Sequence, residues 1–246
     1  ANRCESCLQR DPAAAAPPIP WETPTSGSFV QRYLGTLSGA FRPVLTAPAF
    51  AQPELRAARR FFAVSTLPLA ALAGIMPLTR TLEFRRSFEI VVQSKADGAA
   101  IALDVGLAML TQVGWSMIAF LALALPFTSL VRAYGSEARR PAALRVLLYR
   151  FWLSPAAFLF YGLATWALPG PANAAPDAPP AFLDLVVFVD FFMHALLFVS
   201  MRSTARLACG VGALLSYVIT VVPVIMWCVV ELLLSRALMP GAIPAS

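Results

Sequence analysis

Asp190 and His194 are the residues of this chain whose types and spacing could do chemistry, and His194 is its only histidine. They stand four apart in VVFVDFFMHALLFVSM, residues 186–201. Residues at that spacing share one face of a helix. A carboxylate beside an imidazole could relay protons, because imidazole titrates near neutrality. The same pair could instead lock helices together through hydrogen bonds, each worth about 1 kcal/mol or less within a membrane. An ionisable group in an apolar segment is a functional hypothesis by default, and its partner has to be sought. Arg150, beside a third apolar block, and Glu231, inside a fifth, are the candidate partners. The host segment can carry the cost: the thirteen Leu, Phe and Val residues of 182–201 each contribute roughly −0.3 to −0.6 kcal/mol on insertion, against about +3 for a central Asp.

Cys4 and Cys7 are the second constellation. A C-x-x-C pair has the spacing of one knuckle of a zinc site, and tetrahedral zinc needs four ligands. The other Cys and His residues, His194, Cys209 and Cys228, all fall in apolar blocks. Two readings stay open. Either a Cys/His pair upstream of Ala1 completes a zinc ribbon or B-box-like finger with Cys4 and Cys7, or the two are an unpaired or redox-active C-x-x-C.

The elements that must position these residues follow from composition. The 246 residues are 59% hydrophobic and 13% charged, whereas a soluble domain carries about 25% charged residues. The apolar residues come in blocks near the roughly 20 residues that a membrane helix needs. Five such blocks are read, at about 61–79, 106–131, 151–168, 182–201 and 209–234. Backbone groups in hydrocarbon must be bonded internally, so each is expected as a helix, kinked by Pro68, Pro77, Pro126, Pro155 or Pro223 where one occurs. The fold class expected is therefore all-α, a polytopic bundle of about five transmembrane helices. The second block is long, and its first part, with Asp104, is expected to lie at an interface or beyond the lipid. Gly98, Ala102 and Gly106, and likewise Ala205, Cys209 and Ala213, are spaced to let another helix approach closely.

The flanks divide into short regions. Residues 1–10 hold the cysteine pair, 11–28 are an Ala/Pro-rich linker, 29–60 form an amphipathic segment and 236–246 a tail. Phe29, Tyr33, Leu37 and Phe41 recur at helical spacing, which suits either the membrane surface or the ends of the bundle. No cleavable signal peptide is visible, so the first block is expected to stay as an anchor. With the N-terminus in the cytoplasm, fourteen of the nineteen basic residues fall on the cytoplasmic side, as the positive-inside rule asks. The exception is the 80–97 connection, with Arg80, Arg85, Arg86 and Lys95.

Several function classes are excluded as expectations. The net charge of +6 accompanies membrane flanks and no nucleic-acid-binding motif, so no nucleic acid is expected as a partner. One histidine rules out a His-Glu-x-x-His zinc protease, and neither a Gly-x-Ser-x-Gly elbow nor a phosphate loop occurs. The chain is read as no enzyme.

The order of segments carries a family resemblance. Pro20-Trp21-Glu22 closes the linker, FVQRYLGTLSGAFRPVLTAPAF follows, and ELRAARRFFAVSTLPLAAL leads into the first block. LRVLLYRFWLSPAAFLFYGL at 144–163 and HALLFVSMRSTARLACGVGALLSYV at 194–218 continue the series. The chain, over about residues 20–235, resembles the bacterial branch of the Yip family, five-span membrane proteins named for interaction with Ypt/Rab GTPases. The resemblance implies a cytoplasmic N-terminus and a Yip-like domain over 61–235, and it transfers no catalytic residue. Eukaryotic members take part in vesicle traffic, a pathway that bacteria lack. Arginine-rich, lysine-poor usage points to a GC-rich bacterial genome and so to the inner membrane. The expected function is a non-catalytic scaffold or adaptor that engages the lipid bilayer and protein partners through its N-terminal region. The alternative is a small-solute or proton-coupled transporter using Asp190, His194 and Arg150.

Overall fold

In hydrocarbon a chain can satisfy its own N–H and C=O groups within one segment only by coiling into a helix, and every long apolar stretch among the described residues does so. The computed structural model describes residues 18–23, 27–51, 54–78, 98–135, 141–167 and 180–238. A 3-10 turn, Pro20–Glu22, leads to α1 (Phe29–Ser38), a second 3-10 turn (Gly39–Phe41), α2 (Pro43–Thr46) and a third 3-10 turn (Ala47–Ala51). The long helices follow: α3 (Arg56–Leu78), α4 (Gly98–Tyr134), α5 (Pro141–Arg150), α6 (Leu153–Ala167), α7 (Pro180–Ser203) and α8 (Ala213–Leu238), with a π-turn, Thr204–Ala208, after α7. No strand occurs among the described residues. The protein is all-α and polytopic, and among the described residues five helical stretches are long and apolar enough to cross a membrane: Arg56–Ile75, Ala102–Tyr134, Pro141–Phe160, Val187–Ala208 and Ala213–Val230.

Local chemistry sets several boundaries. α1 opens with a capping box, Ser28 Oγ accepting from the Gln31 N–H while Gln31 Oε1 accepts from the Ser28 N–H at 2.9 Å. α4 continues through Pro126 for 37 residues, roughly 55 Å at about 1.5 Å per residue. The third apolar stretch divides at Phe151–Trp152, one turn before Pro155. Proline has no N–H for the carbonyl four residues back, and its ring crowds that carbonyl; here the carbonyl is that of Phe151, which takes the Ser154 N–H instead. Gly210, at φ 72°, closes the turn after α7, and Val211 N–H donates to Ala205 O at 3.0 Å. A side chain at that φ costs about 1 kcal/mol or more, so α8 starts only at Ala213, past the Cys209 at which the fifth block begins.

The described residues gather into two compact units. In the first, formed by the segments up to Arg59, Ile118–Arg150 and those from Leu196 on, the Ala47–Ala51 turn, α5 and the π-turn pack on one another. Ala47, Ala49, Phe50, Val146, Leu147, Ala205 and Ala208 are buried there. α5 is buried on nearly every side, the mark of an inner helix. In the second unit, Arg60–Met117 and Phe151–Ala195, the rings of Phe62 and Phe151 lie 6.3 Å apart.

The close approach expected at Gly106 is not found among the described residues, where a Cβ at that position would meet nothing within 4 Å. It falls instead at Gly74, where a Cβ would lie 2.6 Å from the carbonyl oxygen of Ala108 and 2.8 Å from the Gln112 side chain. Backbone cannot give way as a flexible side chain does. Gly74→Leu is therefore expected to cost about 1–3 kcal/mol by overpacking, seen as a lowered Tm of the detergent-solubilised protein; an unchanged Tm would mean that α3 and α4 do not approach here. Along α4, Leu103, Leu107, Leu110, Ile118, Leu121 and Leu125 point outward at helical spacing. Such a stripe suits hydrocarbon and would be an aggregation hazard in water.

Candidate functional site

Pro20-Trp21-Glu22 is where the N-terminal segment is fastened. Trp21 is placed by both ends of its peptide and ring: its N–H donates to Thr36 Oγ1 at 2.9 Å, and its Nε1–H to the Ala57 carbonyl at 3.0 Å. Its ring meets Phe29 and Tyr33 edge-on, with centroids 5.3 and 6.3 Å away, a favoured aromatic geometry. Desolvation by burial raises the Tyr33 phenol above its ordinary value of 10.0.

Glu22, next in the chain, turns to α5. Its carboxylate pairs with the Arg145 guanidinium and accepts the Tyr149 hydroxyl at 2.6 Å. Arg145 is fully buried and also donates to the Ala49 carbonyl at 3.2 Å. Arg145 and Tyr149 are one turn apart on α5, so one carboxylate can reach both. A buried charge persists only where it is paired and hydrogen-bonded, and Glu22 supplies that pairing from a distant part of the chain.

Arg150, the last residue of α5, holds the other side of the same segment. Its Nη1 donates to the Thr36 carbonyl at 3.2 Å and its Nη2 to Thr46 Oγ1 at 2.9 Å. The guanidinium carbon lies 5.3 Å from the Phe50 ring centroid, within cation–π range. Through Glu22, Thr36, Thr46 and Phe50 the Pro20–Ala51 segment is thus fixed on α5 at several points. Thr36 and Ala40 form the buried side of α1 and the turn after it. The stripe expected at Phe29, Tyr33, Leu37 and Phe41 is split: Tyr33 and Leu37 are half-buried, while Phe29 and Phe41 are exposed together with Val30, Leu34, Val44 and Leu45.

The structure brings Asp190 and His194 together on α7. His194 Nδ1 lies 2.9 Å from the Asp190 backbone carbonyl and 3.5 Å from its Oδ1. A carbonyl only accepts, so Nδ1 carries the proton and the stronger bond goes to the backbone one turn back. The two side chains are 46% and 24% exposed respectively, on a side of α7 shared with the exposed Val187 and Phe191. Arg150 engages Thr36 and Thr46, as described. Glu231 lies on α8, but its side chain is outside the described residues, as are Cys4 and Cys7 altogether.

Glu22, Arg145 and Tyr149 were not singled out by the sequence reading. The available signal was LRVLLYR, in which two arginines five apart interrupt a helix otherwise apolar on all sides. Such arginines must find partners elsewhere in the chain. No family model, no curated protein and no solved structure matches this chain.

Proposed function

We propose that this chain is a non-catalytic membrane scaffold of the Yip-like type, seated in a bacterial inner membrane with its N-terminus in the cytoplasm. The observation that carries this reading is the Pro20–Ala51 segment, held on α5 by Glu22, Thr36, Thr46 and Phe50 while Val30, Leu34, Val44 and Leu45 remain exposed. A segment fixed on one side and apolar on the other is suited to hold lipid or a protein at the membrane surface. The positive-inside count supports a cytoplasmic side for it.

The Asp190–His194 pair favours transport as the second reading, since ionisable groups within membrane segments line ion pathways in many pumps. Its His-to-backbone bond lies within α7, so it steadies that helix rather than joining it to another. Under the lock reading, Asp190→Asn lowers stability by about 1 kcal/mol or less. Two assays on the purified full chain decide between the readings: proton flux in proteoliposomes, and co-purification of partners with wild type and with Val30→Glu/Leu34→Glu. The scaffold reading expects no flux and a set of partners lost in the double variant. Flux that Asp190→Asn abolishes without loss of stability would replace it with the transporter.

A further inference from the structure

Arg145 and Arg150 pose the same physical problem on one helix and receive different answers. Both are buried, Arg150 to 2% exposure, but only Arg145 is given a carboxylate. Among the described residues no Asp or Glu lies within ion-pair distance of Arg150, and its Nε has no hydrogen-bond partner. Its two bonds, to a carbonyl and a hydroxyl, leave the charge unneutralised. A buried guanidinium without a counter-ion is strongly unfavourable. Where the counter-ion would stand, the chain leaves a cavity of about 500 Å³, lined by Arg150, the exposed Arg42, Thr46 and Ser38. Phe41 and Leu45 line it too and are largely exposed, 51% and 65%, which gives the cavity an apolar rim. Gly39 keeps room beside the charge, since a Cβ there would lie 3.3 Å from Arg150 Nη2.

We propose that this cavity binds a phosphate-bearing anion, with Arg150 as the buried cationic contact and Arg42 as a second cation at the mouth. Guanidinium groups are the preferred partners of phosphate because their N–H groups match its oxygens in geometry and charge. The space admits a glycerophosphate headgroup, and the Phe41–Leu45 rim suits an acyl chain. The phosphate can come from an anionic phospholipid or from a soluble phosphate. The proposal names the ligand class of the scaffold's N-terminal segment, and it rests on that reading only for the placement at the membrane surface.

The test uses the full chain. Retention of phosphatidylglycerol against phosphatidylcholine is measured by native mass spectrometry after extraction from nanodiscs containing both, and binding of inorganic phosphate by ³¹P line broadening in neutral detergent. Preferential retention of phosphatidylglycerol, weakened about tenfold or more in Arg150→Gln and in Arg42→Glu, supports the lipid source. Phosphate binding with the same dependence, without lipid preference, supports the site with a soluble ligand. Arg42 is exposed, so Arg42→Glu decides the matter if Arg150→Gln fails to fold. Binding of neither probe, or undiminished binding in the folded variants, overturns the proposal. That outcome would leave partner co-purification untouched and so is distinguishable from failure of the scaffold reading.

Discussion

Glu22→Ala is expected to lower the stability of the folded chain by roughly 3–5 kcal/mol, the range for breaking a buried ion pair by removing one partner. Arg145 is 0% exposed, and its bond to the Ala49 carbonyl does not neutralise it once the carboxylate is gone. Tyr149 loses the acceptor of its hydroxyl at the same time. Glu22→Gln keeps an acceptor for Tyr149 without the charge and is expected to fall between Ala and wild type. Because the cost comes from a stranded charge, adding Arg145→Met to Glu22→Ala should recover much of the loss. Denaturant or thermal unfolding in detergent, followed by circular dichroism, reads all four proteins. A loss under about 0.5 kcal/mol, usual for surface substitutions, would mean that Glu22 fastens nothing.

Phe50→Ala is the second large effect. Phe50 is 1% exposed, its ring lies 5.9 Å from that of Tyr149, and the Arg150 guanidinium stands over it. Truncating a buried Phe to Ala costs about 3–5 kcal/mol through lost transfer energy and the cavity left behind. Phe50→Leu retains most of the volume and removes the aromatic face, so the cation–π part, about 0.5–2 kcal/mol, should dominate what it loses. A Phe50→Leu variant as stable as wild type would show that the ring face contributes nothing to holding Arg150.

The five apolar helices were legible because bilayer length and composition act locally: a run of about 20 apolar residues has few other fates. Their ends were less so. The third stretch breaks before Pro155 because the proline acts on the carbonyl of Phe151, four residues back. The fifth begins late because Gly210 stops the preceding turn in a left-handed conformation. Of the clasp that Glu22 and Arg145 form, only the arginine half left a local trace, a charge in an otherwise apolar helix. Glu22 and Arg145 are 123 residues apart, and neither helical periodicity nor motif spacing spans such a distance. Composition drew attention to Asp190 and His194, whose rarity in an apolar run is conspicuous. Glu22 sits beside a linker where an acidic residue is ordinary, so only the fold reveals its role.

The same distance makes the clasp testable by coupling. In a double-mutant cycle with Glu22→Gln, Arg145→Met and their combination, two residues that touch only through the fold should be non-additive if that contact exists. A coupling energy of about 2 kcal/mol or more is expected, within the range for paired residues in one network. Additivity within about 0.5 kcal/mol would contradict the attachment of the N-terminal segment to α5.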